Sequence, residues 1–122
     1  PISGVANHAN LIAYDTCFTR VSDGNGLCPT ISNVAAANQA VADGVVDVLG
    51  YSISGGNSPW TESVSLAFLG AVDAGIIVSA SGGNSGPAAG TVAHREPWTI
   101  TVAASTQRWT RTGAVPENAQ PS

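Results

Sequence analysis

A short apolar run that ends in a glycine-rich turn constrains this chain most. The run covers residues 75–80 and contains two isoleucines and a valine, which indicates a buried strand. The turn Ser81–Pro87 follows directly and contains Gly82, Gly83 and Asn84. Two glycines allow the backbone to turn sharply and to approach a ligand closely, while an asparagine amide can point at developing negative charge. This combination is typical of a turn that stabilises an oxyanion.

The rest of the chain alternates predicted strands and helices. Each strand prediction rests on a short run of apolar residues, and each helix prediction on apolar residues at helical spacing between an N-terminal cap and a glycine. The predicted strands cover residues 10–14, 45–49, 76–80 and 98–102, and the predicted helices run from Pro29 and Thr30 to Gly44 and from Ser58 and Pro59 to about Ala74. This order predicts an α/β fold with a mainly parallel sheet and right-handed helical crossovers.

Two glycine-rich segments follow neighbouring strands of this predicted sheet. Ser52–Gly56 comes after the strand at 45–49, and Ser81–Gly86 comes after the strand at 76–80. In open parallel sheets, ligands bind at the carboxyl ends of the strands. Both segments are therefore expected to face one cleft.

Composition excludes several classes of protein. The chain has 122 residues, 43% of them hydrophobic and 10% charged, which is enough for one domain with a real core. It contains no lysine and has a net charge of −4, so it lacks the basic surface of a nucleic-acid-binding protein. No apolar run reaches the roughly 18 residues of a membrane helix. The chain also lacks methionine and starts at Pro1, so we expect it to be part of a longer protein.

Cys17 and Cys28 enclose a loop that is rich in turn residues. Their sulfurs can meet if the loop folds back, and we interpret the pair as a disulfide, which implies an oxidising, secreted setting. Two reduced cysteines near a surface loop are the alternative. A zinc site is not expected, because neither a Cys-x-x-Cys motif nor a histidine pair accompanies them. We assign no metal and no cofactor.

Several segments occur in a characteristic order along the chain. They are Gly4–Tyr14, Ala40–Leu49, Ser81–Pro87, Thr91–His94 and Pro97–Ser105. Together they resemble the middle of a subtilisin-like serine protease, and the resemblance covers nearly everything from Gly4 to Thr106. It implies a three-layer, subtilisin-like α/β fold that is incomplete here, with residues 1–112 as the partial catalytic domain. Residues 113–122 are then expected to be a flexible end or a linker towards a following or inserted domain.

The resemblance implies roles for two groups of residues. Asn84 matches the family's oxyanion asparagine, whose side-chain amide helps the nucleophile's backbone N–H to hold the tetrahedral intermediate. The implied substrate-binding residues are Ser52, Ile53, Ser54 and Gly55 on an edge that pairs with an extended peptide, Ser81, Gly82 and Gly83 on a wall of the primary specificity pocket, and Ser85 at its rim. Three positions depart from the family pattern: Gly50 replaces an asparagine, Ser54 a glycine, and Arg95 the proline after His94.

The sequence lacks the motifs that supply a serine protease with its nucleophile and base. No Asp-Thr-Gly, Asp-Ser-Gly, His-Gly-Thr-His or Gly-Thr-Ser is present. In the family these motifs lie before and after the matching region. The chain is therefore interpreted as the central fragment of a secreted serine endopeptidase, inactive alone, whose parent binds extended peptides or proteins. The apolar surface left by missing neighbours would favour self-association of the fragment.

Three other interpretations stay open at this stage. The chain could be a non-catalytic peptide-binding or scaffold module derived from the protease fold. Gly50–Ser54 almost matches a nucleophile elbow, which with Asp47 and His94 would give Ser52 a hydrolase triad, but the fifth residue is not glycine. A Rossmann-like nucleotide site lacks its glycine fingerprint. We interpret His8 and His94 as surface or supporting residues rather than catalysts.

Overall fold

Three parallel strands and two helices organise the part of the chain that the structure describes, residues 4–104 of a computed structural model. The elements are β1 (Phe18–Thr19), β2 (Gly26–Leu27), α1 (Thr30–Asp43), β3 (Val48–Tyr51), α2 (Ser63–Asp73), β4 (Ile77–Ser81) and β5 (Ile100–Val102). The sheet order is β3-β4-β5, and both neighbouring pairs are parallel. The predicted α/β fold with a parallel sheet is confirmed. The expected linker at 113–122 lies outside the described residues.

The core lies on one face of this sheet. Val78 and Ala80 point from β4 towards the helices, where Phe68 and Ala71 of α2 and Ala37 of α1 are buried with them. Alternate residues of a strand point to opposite faces, so one apolar face is sealed by the helix pair. Burial of a side chain such as Phe68 stabilises the fold by about 2–3 kcal/mol.

The other face of the sheet is apolar but uncovered by the described residues. Val48 and Ile77 are register partners on it, and Ile100 and Val102 continue it on β5. Each of the four is more than half exposed. Parallel sheets are normally covered on both faces, so this architecture is one layer short of the usual arrangement.

The first helix follows the sequence prediction, whereas the second begins later than expected. Helix α1 ends at Gly44, whose left-handed φ of 65° lets its N–H bond to the Val41 carbonyl. Helix α2 begins after Glu62 and not at Ser58, because residues 58–62 form a turn in which the Thr61 N–H bonds to the Ser58 carbonyl. None of the described helices is long and apolar enough to cross a lipid bilayer.

The strand predictions were partly wrong. Residues 10–14 form no strand, and Leu11 and Ile12 are exposed there, since no described segment pairs with them. Strand β5 is shorter than predicted because Thr99 is held in a turn, where its N–H bonds to the Glu96 carbonyl at 3.3 Å. Strands β3 and β4 lie one to three residues further along the chain than their apolar runs suggest.

A disulfide closes the segment that precedes α1. Cys17 and Cys28 are bonded, and strands β1 and β2 pair antiparallel inside the loop they close. Gly24 turns the chain with a φ of 70°. The pair therefore ties the start of α1 to a small hairpin.

Replacing both cysteines should weaken the fold. We expect the double variant Cys17→Ser/Cys28→Ser to lose about 2–3 kcal/mol of unfolding free energy, since the bond closes a loop with a separation of 11 residues and restricts the unfolded chain. Urea denaturation followed by circular dichroism measures it, with the reduced parent chain as the control. Equal midpoints for the oxidised parent and the variant would contradict this expectation.

Candidate functional site

The glycine-rich segments after β3 and β4 lie side by side. A Cβ built on Gly83 would lie 3.4 Å from the Ser54 hydroxyl oxygen and 3.1 Å from the Ala93 Cβ. Gly83 has a φ of 78°, which side-chain-bearing residues rarely adopt. The neighbouring strands therefore bring the two segments to one edge of the sheet, and only a glycine fits between them.

A third segment, residues 93–96, joins these two, and sequence reasoning missed it. The Ala93 N–H bonds to the Gly82 carbonyl at 3.0 Å, and the His94 N–H bonds to the Gly55 carbonyl at 2.7 Å. The chain thus returns from the exposed turn after β4 and bonds to the ends of both strands. This short segment fixes the spacing between the expected substrate edge and the expected oxyanion turn.

Arg95 also binds residues 93–96 to Gly56 and Asn57. Its N–H bonds to the Gly56 carbonyl at 3.2 Å, and its guanidinium donates to the Asn57 carbonyl at 3.2 Å and to the Asn57 side-chain oxygen at 3.3 Å. Proline at this position would have no N–H to donate. The departure from the family pattern at Arg95 therefore adds bonds to the glycine-rich segment.

Asn84 and Ser85 are exposed, one and two residues beyond Gly83. The Asn84 amide bonds to no other described side chain or backbone group. Gly82 is still held to the sheet, because its N–H bonds to the Val102 carbonyl at 2.7 Å. The turn therefore has a fixed base and presents a free amide donor above it.

His94 is buried, which agrees with the supporting one of the two positions expected for it, and it contacts the neighbouring segment. Only 1% of it is exposed. Its Nε2 lies 2.7 Å from the Ile53 carbonyl oxygen, and its Nδ1 lies 3.1 Å from Glu96 Oε1. Both ring nitrogens are engaged, so His94 is not available as a base for Ser52 in the alternative hydrolase triad. His8, by contrast, is exposed.

Glu96 is a buried carboxylate with few partners. It is 3% exposed, and the Ser65 hydroxyl of α2 donates to its Oε1 at 2.6 Å. Burial by itself would raise the pKa of Glu96, but the hydrogen bonds from Ser65, from its own backbone and from His94 outweigh burial and lower that pKa. Ser65 is fully buried, so its hydroxyl is not accessible to a substrate as a nucleophile.

Glu62 organises the glycine-rich segment from the other side. Its carboxylate accepts the N–H groups of Gly56 at 2.7 Å, Asn57 at 3.1 Å and Ser58 at 3.2 Å. This anion explains the late start of α2, because the residues before Glu62 fold back onto its side chain. Burial, together with the negative charge of Glu62, raises the pKa of Tyr51.

A cleft of about 240 Å³ lies beside the expected substrate edge. It opens between the N-terminal ends of α1 and α2, and its walls include Asn33, Tyr51, Ile53, Val64 and His94. Within residues 4–104, no group of three or more histidine, cysteine, aspartate or glutamate side chains is placed to hold a metal ion. The lining includes Ile53–Gly55 of the expected substrate edge but none of Ser81–Ser85.

Comparison with known proteins gives a consistent result. A model of the subtilase family matches residues 1–121. The chain is 42% identical over 105 residues to the subtilisin-like protease SBT1.5 of Arabidopsis thaliana, 41% over 107 residues to SBT1.4 and 40% over 104 residues to SBT1.3. These alignments cover 84–85% of this chain but only 12–13% of the length of the relatives.

Gly56 offers a sharp test of this packing. A Cβ at Gly56 would lie 2.5 Å from Glu96 Oε1 and 2.6 Å from the His94 Cα, whereas one at Gly24 would meet nothing within 4 Å. The two glycines share nearly the same φ, 71° and 70°. We expect Gly24→Ala to cost about 1 kcal/mol of unfolding free energy and Gly56→Ala to cost at least about 3 kcal/mol, measured by urea denaturation. Equal losses would contradict the crowding around Gly56.

Proposed function

The chain belongs to the subtilase family, and we propose on that basis that it supplies the oxyanion amide and the substrate cleft of a secreted serine endopeptidase. The observation that supports this most is the exposed Asn84 side chain, on a turn whose base is fixed to the sheet beside a second strand end. The sequence contains none of the aspartate, histidine and serine motifs that such an enzyme uses. We therefore propose that the isolated chain is inactive and that hydrolysis requires groups this sequence does not contain.

In the proposed reaction a serine nucleophile attacks a peptide carbonyl, the C–N bond breaks and the amine leaves, and water then hydrolyses the acyl-enzyme to a carboxylic acid and the free serine. Each attack places negative charge on the carbonyl oxygen, and the Asn84 amide would donate a hydrogen bond to it. One such donor contributes on the order of 3–4 kcal/mol to transition-state stabilisation. Its exposed position suits this task, because a substrate can reach the amide.

The substrate would lie as an extended strand along Ser52–Gly55, with Ser81–Gly83 as a wall of the primary specificity pocket and Ser85 at its rim. Ser52 and Ser54 are exposed along this edge, which leaves them accessible to a peptide. The proposed edge and the proposed pocket wall are adjacent, because a Cβ built on Gly83 would lie 3.4 Å from the Ser54 hydroxyl oxygen. The proposed partner is thus a peptide or protein in extended form.

A secreted location is part of the same proposal. The Cys17–Cys28 disulfide supports it, since disulfides persist in oxidising compartments and are rare in the cytosol. Nucleic acid is an unsuitable partner for a chain with a net charge of −4 and no lysine.

A non-catalytic peptide-binding or scaffold module is the second candidate. The exposed edge residues Ser52 and Ser54 beside a cleft favour it, because binding an extended peptide requires neither a nucleophile nor a base. The two candidates differ in one respect that can be measured. Only the endopeptidase candidate requires the Asn84 amide to act on a transition state.

We expect Asn84→Ala to lower kcat in a chimera in which this chain replaces the aligned segment of the Arabidopsis relative SBT1.5. The fall should be about 10²- to 10³-fold with little change in KM, which is the known size of effect for removing one oxyanion donor. Hydrolysis of a fluorogenic peptide provides the measurement. The matched control is Asn38→Ala on the exposed surface of α1, which should leave both constants unchanged.

Three results would weigh against the endopeptidase candidate. An equal fall in the Asn38→Ala control would remove any special role of Asn84. A chimera that binds peptide without cleaving it would favour the scaffold module. A fluorophosphonate adduct on Ser52 of the isolated, folded chain would instead indicate an unexpected hydrolase, whereas we expect no adduct there.

We also propose that the isolated chain self-associates through the uncovered face of its sheet. Burying this face would remove exposed isoleucine and valine side chains from water. We expect Ile77→Thr/Ile100→Thr to shift the chain from oligomer to monomer in sedimentation velocity runs, while Ile31→Thr, at an exposed position of α1, leaves the distribution unchanged. A monomeric parent chain would contradict the proposal.

A further inference from the structure

We propose that His94 is a positioning residue for the substrate-binding edge, held in place by Glu96 and Ser65. This inference rests on the proposed function, because it takes Ser52–Gly55 as the edge that binds substrate. His94 does not touch the reacting atoms in this scheme. It acts through the backbone carbonyls that set the course of the edge.

His94 binds the edge twice. Its backbone N–H donates to the Gly55 carbonyl at 2.7 Å, and its Nε2 lies 2.7 Å from the Ile53 carbonyl oxygen. A carbonyl oxygen can only accept, so Nε2 carries a proton and donates it to the Ile53 carbonyl. The two carbonyls bonded to His94 alternate along the segment, so the groups left for a peptide are those of the exposed residues Ser52 and Ser54.

The imidazole is itself fixed from two directions. Glu96 Oε1 lies 3.1 Å from Nδ1, and the Ser65 hydroxyl of α2 donates to the same oxygen at 2.6 Å. The rings of Tyr51 and Phe68 flank the imidazole, with centroids 5.3 Å and 6.0 Å away. A connected set of contacts therefore runs from the core helix α2 to the Ile53 carbonyl.

The backbone of His94 indicates that this arrangement is imposed by its surroundings. His94 has a φ of 51°, and no other residue except glycine has a positive φ in the described part of the chain. Such a conformation is costly for a side-chain-bearing residue and persists only where neighbouring contacts determine it. In His94 the backbone N–H, Nε2 and Nδ1 each have a partner, so this backbone conformation allows three contacts at once.

The test uses two substitutions and two substrates in the SBT1.5 chimera. His94→Phe keeps an aromatic ring against Tyr51 but has no donor for the Ile53 carbonyl, whereas His94→Gln retains an amide donor. We expect His94→Phe to raise KM about tenfold for a peptide that extends over several residues before the cleaved bond, with kcat changed less than about twofold. His94→Gln should restore most of the loss.

A short ester substrate with a single residue before the cleaved bond separates positioning from stability. It cannot pair with the edge, so its kcat/KM should be unchanged by His94→Phe. Equal losses for the long and short substrates would overturn the proposal, because they would indicate general damage to the fold. No loss for either substrate would overturn it as well.

If the chimera does not cleave peptides, only the proposed function fails. The positioning role of His94 is then tested by nuclear magnetic resonance of the isolated 122-residue chain. The ¹⁵N shifts of the His94 ring should show a protonated Nε2, and His94→Phe should shift the amides of Ser54 and Gly55 more than His94→Gln does. An unprotonated Nε2, or amide shifts equal in both variants, would overturn the positioning role.

Discussion

The hydrogen bonds of residues 93–95 to the ends of β3 and β4 are the interactions on which the site depends. Ala93 bonds to Gly82 and His94 to Gly55, so one short segment sets the distance between two strand ends that no regular sheet pairing reaches. Without these bonds, the turn that carries Asn84 would be attached to the sheet only through the Gly82 bond to Val102 and its own chain. The position of the proposed oxyanion donor relative to the proposed substrate edge therefore depends on a segment that belongs to neither.

A buried carboxylate makes this segment possible. Glu96 gives up hydration on burial, and its Oε1 contacts Ser65 and His94, whereas its buried Oε2 has no hydrogen-bond partner among the described residues. Gly56 allows the carboxylate to approach the backbone, since a Cβ there would lie 2.5 Å from Oε1. The buried Glu96 carboxylate, Gly56 and the left-handed backbone of His94 therefore form one arrangement, in which each depends on the other two.

Much of the fold could be predicted from local patterns, whereas the support of the site could not. The apolar run after Gly75 and the stop at Gly44 are local signals, and both elements formed close to the predicted places. The start of α2 was misplaced because Glu62 draws the preceding backbone onto its carboxylate, a contact that spans six residues. The sequence left His94 as either a surface or a supporting residue, because its burial results from packing against Tyr51 of β3 and Phe68 of α2, which are far away along the chain.

The contacts that fix the site and the contacts that stabilise the sheet are distributed differently. Those that hold the expected edge and turn come from residues 51–102, and they are satisfied on the helix-covered side. The opposite face of the same sheet exposes Ile77 and Ile100. Buried hydrogen bonds are directional, whereas apolar burial is not. The geometry of a site can therefore be set by nearby hydrogen bonds, while the stability of the sheet that carries it depends on what covers the second face of that sheet. The cleft is therefore held by contacts within this chain, whereas the face that carries Ile77 and Ile100, which residues 4–104 leave uncovered, is the one through which we propose that the chain associates.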